Sequence, residues 1–221
     1  MLKKHHLARL VDHTNLRPDA TDNDIVRLCT EARSYGFKAA VVNPVNVRLA
    51  AKLLDGSETA VCSVVGFPLG ATTSQAKMFE AEEAIRNGAS EIDMVASIGA
   101  LKSGRLNDVR ADIELVSAAV KGKNMILKVI IEACFLTNEE KVNICLLAKD
   151  IGVDFVKSST GFAEGAKAED IRLMRKTVGY SMGVKAAGGV RSYSDAMMMI
   201  EAGASRIGTS SGVKIIEESP E

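Results

Sequence analysis

The sequence predicts an α/β protein folded as a single (β/α)8 barrel, and three observations predict it. A cassette of amphipathic helix, glycine, short apolar strand and loop recurs along the 221 residues. The strands read as near-continuous apolar runs, as in a parallel sheet covered on both faces. Eight such units can be placed, enough to close a barrel. The competing doubly wound sheet would want a phosphate-binding glycine turn after its first strand, and Asn43-Pro44-Val45-Asn46 is no such turn. With no linker, low-complexity stretch or second domain, residues 1–221 read as one barrel domain.

A leading helix fits Lys3 to Arg9, and a short first strand fits Leu10 to Asp12. Thr21-Asp22-Asn23-Asp24 opens the next helix as a capping box with Asp24 in place of Glu or Gln. Ile25, Leu28, Cys29 and Ala32 then recur at helical spacing up to the stop at Tyr35-Gly36. Phe37 to Asn43 is a strand, Pro44 to Leu54 a shorter helix, and Ala60 to Gly66 a strand. Thr72 to Asn87 is a long helix, followed by the strand Glu91 to Ala96. Leu106 to Val120 is helical and Leu127 to Ile131 extended. A full capping box, Thr137-Asn138-Glu139-Glu140, opens the helix that ends at Gly152. The strand at Phe155 follows, then helix Ala168 to Val178, strand Gly183 to Ala187, helix Ser192 to Ala202, strand Ser205 to Gly208 and a short helix Ser211 to Glu218. Met197-Met198-Met199 suits core filling or a subunit contact better than a cofactor box.

Composition narrows the function. Lys plus Arg and Asp plus Glu both number 28, so nothing draws the chain to nucleic acid or anionic lipid. No apolar run reaches membrane-spanning length, and Met1-Leu2-Lys3-Lys4-His5-His6 lacks the apolar core of a signal peptide. Cys29, Cys62, Cys134 and Cys145 show no metal-binding spacing and read as reduced thiols of a cytoplasmic protein. No metal is expected.

The chemistry collects at the carboxyl ends of the strands, where barrels of this type react. Phe155-Val156-Lys157-Ser158-Ser159-Thr160-Gly161 places a lysine inside a buried strand. A lone lysine would read as a surface residue on an edge strand, but this one has company. Asp12 ends the first predicted strand, Asp93 lies in Glu91-Ile92-Asp93-Met94-Val95, and Lys185 lies in Gly183-Val184-Lys185-Ala186-Ala187-Gly188-Gly189. Charges inside a barrel need partners. Two lysines on consecutive strands, with aspartates nearby, fit imine chemistry. A nucleophilic lysine must be neutral, and at an ordinary pKa of about 10.4 only roughly 1 in 2,500 is neutral at pH 7. Burial and a second ammonium, Lys185, both lower that pKa, and Asp93 can move protons. Lys128 reads as a buried ion-pair partner below the reacting layer, and Glu132 as part of a polar network. His13 is a weak catalytic candidate because neighbours in a strand face opposite ways, and Cys134 reads as an inert thiol.

Three small-residue turns follow the last three strands: Ser158-Ser159-Thr160-Gly161, Ala187-Gly188-Gly189-Val190 and Thr209-Ser210-Ser211-Gly212. One would pass as an ordinary tight connection. Three side by side, with a short helix after the last, suit a phosphate group. Their candidate contacts are Thr160, Gly161, Gly188, Gly189, Gly208, Ser210 and Ser211.

These motifs, together with Asp12-His13-Thr14-Asn15-Leu16, Leu127-Lys128-Val129-Ile130-Ile131-Glu132 and Arg206-Ile207-Gly208-Thr209-Ser210-Ser211, resemble the deoxyribose-phosphate aldolase family over almost the whole chain. The resemblance implies a class I aldolase that interconverts 2-deoxy-D-ribose 5-phosphate with acetaldehyde and D-glyceraldehyde 3-phosphate. It implies no metal and no organic cofactor. Lys157 would form the Schiff base, Asp93 and Lys185 would serve proton transfer, and Asp12 would support them. The chain departs from the family at Ala186, where many members carry proline. It also ends at Glu221 without the tyrosine-bearing tail of longer members, so no role for that tail is carried over. The alternatives are another phosphosugar barrel, such as an isomerase or a transaldolase-like protein, and a phosphosugar-binding protein without chemistry. A homo-oligomer, dimer or tetramer, is compatible with the sequence.

Overall fold

The computed structural model describes residues 3–121 and 125–220; Met1, Leu2 and Glu221, which enter the readings of the two chain ends, lie outside them. Eight parallel strands close in sequence order: β1 (Val11–Asn15), β2 (Ala39–Val42), β3 (Ala60–Val65), β4 (Glu91–Val95), β5 (Ile126–Ile130), β6 (Phe155–Lys157), β7 (Gly183–Ala187) and β8 (Arg206–Thr209). The last pairs back onto the first, with Val11 opposite Ile207 and Asp12 opposite Gly208. The chain is therefore a (β/α)8 barrel, with the leading helix α1 at Lys4–Ala8.

The surrounding helices begin where side chains can satisfy the free N–H groups of a first turn. Helix α2 (Asp22–Tyr35) starts with the predicted capping box, Thr21 accepting from the Asp24 amide and Asp24 from the Thr21 amide. The shorter acid suffices because the Thr21 amide lies 3.0 Å from Asp24 Oδ2. Helices α3 (Val47–Leu53), α4 (Ser74–Arg86), α5 (Ile98–Lys102) and α6 (Leu106–Lys121) precede β5. Helices α7 (Asn138–Ile151), α8 (Ala168–Val178), α9 (Tyr193–Glu201) and α10 (Gly212–Glu217) complete the ring, and boxes at Thr137 and Ser192 cap α7 and α9.

Four elements differ from expectation. Strand β1 does not end at Asp12 but runs on to Asn15, because His13, Thr14 and Asn15 pair in parallel with β2, which overrides the weak strand preference of Asn15. The segment from Pro44 begins as a 3-10 turn, Pro44–Asn46, before α3. The one-turn helix α5 and the 3-10 turn Ala133–Phe135 were not anticipated; both are too short for a periodic apolar pattern to show. Of the methionine triplet, Met199 packs in the core and Met198 is half exposed.

Two apolar regions hold the barrel. The larger lies between the outward strand faces and the helices, with Ile92, Leu127, Val156, Val184 and Ile207 meeting Ile113, Ile144 and Ile171. The smaller fills only one side of the interior, with Ala39 and Val41 of β2 against Cys62 and Val64 of β3. The opposite interior wall, from β4 round to β1, is polar. Two buried ion pairs also tie helices together, Lys77–Asp112 at 2.6 Å and Lys141–Asp170 at 2.5 Å.

Candidate active site

Strand alternation turns Asp12, Asp93, Lys128, Lys157, Lys185 and Arg206 into the barrel. Register then fixes neighbours: Asp93 lies opposite Lys128, Lys157 opposite Lys185, and Lys185 opposite Arg206. Asp93 is the hub. Its Oδ2 accepts from Lys157 Nζ at 2.9 Å and from Lys185 Nζ at 2.8 Å, and its Oδ1 from Lys128 Nζ at 2.7 Å. Asp12 holds Lys185 at 2.5 Å on Oδ2 and pairs with Arg206 through Oδ1. Glu91 completes the set, 2.6 Å from Lys128 and 2.9 Å from Arg206. Below them the Phe155 ring covers Gly183, where a Cβ would lie 2.1 Å from it, and the Arg206 guanidinium lies 5.4 Å from the ring centre.

Burial works against every charge in this group. It pushes the Asp93 carboxyl up, but the ammonium groups of Lys128, Lys157 and Lys185 outweigh it and hold Asp93 well below the usual carboxylate range. Asp12 is lowered in the same way, burial being overcome by Lys185, Lys128 and Arg206. Burial lowers Lys185, yet Asp12 and Asp93 bring it above free lysine. Lys157 alone of the three lysines ends below free lysine: burial depresses it, Asp93 pulls it up, and Lys185 pushes it down again. Charge balance agrees. Four cations face three carboxylates, so the group becomes neutral when one lysine gives up its proton.

A cavity of about 590 Å³ opens at the carboxyl ends of β1 and β6–β8. Lys157 is part of its wall, whereas Lys128, Lys185, Asp12 and Asp93 stand behind that wall. The anticipated phosphate contacts sort into three groups. Gly188, Gly189 and Ser210 line the cavity, and no protein acceptor takes their N–H groups among the described residues. Positive φ angles of 86° and 76° at Gly188 and Gly189 let this backbone turn over the opening. Thr160 and Gly161 also line it, but their amides are engaged by Glu132 and by Ser159 Oγ. Gly208 lies within β8, where a Cβ would come within 3.0 Å of Lys185 Cε, and Ser211 lies outside the cavity wall.

Three network members carried no role in the sequence reading. Glu91 and Arg206 are charges in apolar strands, the same signal that marked Asp93 and Lys128, and each lies two residues from an inward-facing position already singled out. Cys62 packs its Sγ 3.2 Å from Asp93 Oδ1, and no feature of its strand distinguishes it from an apolar filler. His13 faces away from the network, its Nε2 paired with Glu31 at 2.7 Å.

A (β/α)8 barrel that brings one lysine of lowered proton affinity to its cavity, with an ammonium–carboxylate network behind it, has the layout of an imine-forming lyase. Residues 7–218 match the family described as DeoC/LacD family aldolase, and the chain belongs to that family. It is 56% identical over 216 residues to the deoxyribose-phosphate aldolase of Methanothermobacter thermautotrophicus, covering 97% of this chain and 95% of that one. The corresponding aldolase of Thermococcus kodakarensis is 55% identical, with 100% of both chains covered. Among solved structures, deoxyribose phosphate aldolase from Aeropyrum pernix, described as a unique tetrameric structure, superposes with a TM-score of 0.92 at 34% identity, covering 98% of this chain and 92% of that one.

Proposed function

We propose that this aldolase cleaves 2-deoxy-D-ribose 5-phosphate reversibly to acetaldehyde and D-glyceraldehyde 3-phosphate through an imine on Lys157. The observation that carries the assignment of the nucleophile is that, of the three lysines around Asp93, Lys157 alone reaches the cavity. Its lowered proton affinity leaves more neutral amine at physiological pH than a free lysine would have.

Neutral Lys157 adds to the C1 aldehyde of the open sugar. Lys185, held as an ammonium by Asp12 and Asp93, gives a proton to the carbinolamine oxygen, and water leaves. The resulting iminium is the electron sink. Lys185, now neutral, takes the proton of the 3-hydroxyl as the C2–C3 bond breaks, and the electron pair moves into the iminium to give an enamine. Glyceraldehyde 3-phosphate departs. The same proton returns to C2, water adds to the imine, and acetaldehyde leaves. Asp93 Oδ2 touches both amines and relays protons between them; its carboxyl is held too acidic to store one. Asp12 keeps Lys185 in place. The free amides of Gly188, Gly189 and Ser210 receive the phosphate, with Thr160, Gly161 and Gly208 shaping the wall and Ser211 starting the helix behind it.

The substrates are small molecules, and the equal numbers of acidic and basic residues leave no net charge to draw nucleic acid or anionic lipid. No helix among the described residues is long and apolar enough to cross a membrane, and the free cysteines suit a cytoplasmic enzyme. Exposed Phe79, Phe135 and Leu69 suit a homo-oligomer, dimer or tetramer, and the Aeropyrum pernix protein is described as a tetramer.

Borohydride reduction in the presence of deoxyribose 5-phosphate tests the central claim. One stable adduct per chain should map to the peptide containing Lys157, and Lys157→Ala should show neither adduct nor turnover while keeping its circular dichroism. A label on another lysine, or none, would overturn the assignment.

A further inference from the structure

We propose that Glu132 is a positioning residue whose carboxylate grips the Thr160 amide and thereby sets the turn that walls the cavity beside Lys157. The proposal rests on the aldolase reading of that cavity. Glu132 follows β5 by two residues and adopts φ 46° and ψ 65°, the single positive φ outside glycine among the described residues. A residue with a side chain takes that conformation only when its surroundings compel it. Its own side chain supplies the reason. Glu132 is 3% exposed, and both carboxylate oxygens lie 3.2 Å from the Thr160 N–H they accept from.

The backbone on either side is strapped to the Lys157 segment. The Ile131 N–H donates to the Lys157 carbonyl at 2.9 Å, and the Ala133 N–H to the Ser158 carbonyl at 2.8 Å. Inside the turn the amides are committed as well, Gly161 N–H to Ser159 Oγ at 2.9 Å and Phe162 N–H to Thr160 Oγ1 at 3.1 Å. Among these acceptors Glu132 is the one supplied from outside the turn, by the segment after β5, so it ties the Thr160 end of the turn to the barrel as the Ala133 and Ala187 N–H groups tie its Ser158 end. Across the cavity Gly161 faces the Gly188 turn closely enough that a Cβ at Gly161 would lie 3.5 Å from Gly188 Cα. The position of the Thr160–Gly161 wall thus sets the width of the gap in which the free Gly188 and Gly189 amides meet an anion. Loss of the carboxylate would leave a buried N–H without a partner and let the wall move.

Two substitutions separate the grip from the backbone conformation. Glu132→Gly accepts the positive φ freely and removes the acceptor, whereas Glu132→Gln keeps an acceptor oxygen and removes the charge. Hydrogen exchange of the Thr160 amide is followed by NMR, alongside KM and kcat for deoxyribose 5-phosphate. Glu132→Gly should speed Thr160 exchange and raise KM about tenfold with a smaller change in kcat, the size of effect expected for one lost charge-assisted hydrogen bond. Glu132→Gln should restore both to within about threefold of wild type, the difference between a charged and a neutral acceptor. The proposal is overturned if Glu132→Gly matches wild type in either exchange or KM, or if Glu132→Gln is as impaired as Glu132→Gly. Should the wild-type protein form no borohydride adduct, the aldolase reading falls instead, and the exchange comparison alone upholds or overturns the grip.

Discussion

Lys157 and Lys185 lie opposite each other on neighbouring strands, yet their proton affinities shift in opposite directions. The difference is one carboxylate. Lys185 contacts both Asp12 and Asp93, while Lys157 contacts Asp93 alone. The charge of Lys185 is therefore largely compensated by its own partners, and burial leads the depression at Lys157, with repulsion from Lys185 adding to it. Lys185→Leu removes that repulsion and leaves Asp93 to favour the ammonium of Lys157 more strongly. A group with a lowered pKa becomes reactive as pH rises through it, so the borohydride-trapping profile should move to higher pH in Lys185→Leu. Turnover near neutral pH should fall on the order of 10²-fold or more, since the proposed proton donor is lost too. A trapping profile that stays in place while turnover collapses would confine Lys185 to proton transfer.

At the scale of elements, the site depends on how closely β7 and β8 approach. Gly208 lies in β8 with no side chain, and the stem of Lys185 occupies the space a methyl would need, with Ala187 Cβ on its other side at the same 3.0 Å. Gly208→Ala should therefore act through Lys185. Small displacements of a catalytic group cost about 10²-fold when they reach 1 Å, so with Lys185 in its proposed role a shift of a few tenths should lower kcat by roughly tenfold. KM for the phosphorylated sugar should change little. Steady-state kinetics with deoxyribose 5-phosphate and with plain deoxyribose give the comparison: equal kcat losses on both place Gly208 with the amines, whereas a loss confined to KM for the phosphorylated sugar would return it to the phosphate contacts. The reverse pattern belongs to the β7 turn. A bulky side chain at Gly189 should raise KM for deoxyribose 5-phosphate more than for deoxyribose, because Gly189 offers a free amide to the cavity.

The whole barrel divides its interior between an apolar half at β2–β3 and an ionic half from β4 round to β1. Stability should carry the signature of that ionic half. Asp12 and Asp93 both have folded-state pKa values below the unfolded value of about 3.9. Their stabilisation is complete above that value and is lost as pH falls through the folded-state pKa values. Asp12→Asn leaves Lys185 and Arg206 each short of a carboxylate and should cost about 3–5 kcal/mol at pH 7, the range for a broken buried pair. Thermal melts at a series of pH values should show that deficit narrowing below about pH 4, where the wild-type carboxylate begins to lose its own advantage. A deficit unchanged down to the acid limit of folding would mean that Asp12 contributes by shape and not by charge.

The sequence by itself determined the order and type of the main elements, because those signals are local. Capping at Thr21 and Thr137 is written within four residues, and the apolar spacing of α2 within one helix. Mid-strand charges likewise announced that Asp93, Lys157 and Lys185 would meet, since a buried charge requires a partner wherever it lies. Tertiary structure alone decided which partner. Asp12 reached Lys185 because β1 closes onto β8, the neighbour of β7, and Glu91 reached Arg206 across the barrel floor, 115 residues away in sequence. The same holds for the small-residue turns, similar in the size of their residues yet divided into amides left free at Gly188 and amides taken by Glu132 at Thr160. Barrel closure and strand register set these distances, and both are properties of eight strands at once, so no stretch of sequence carries them.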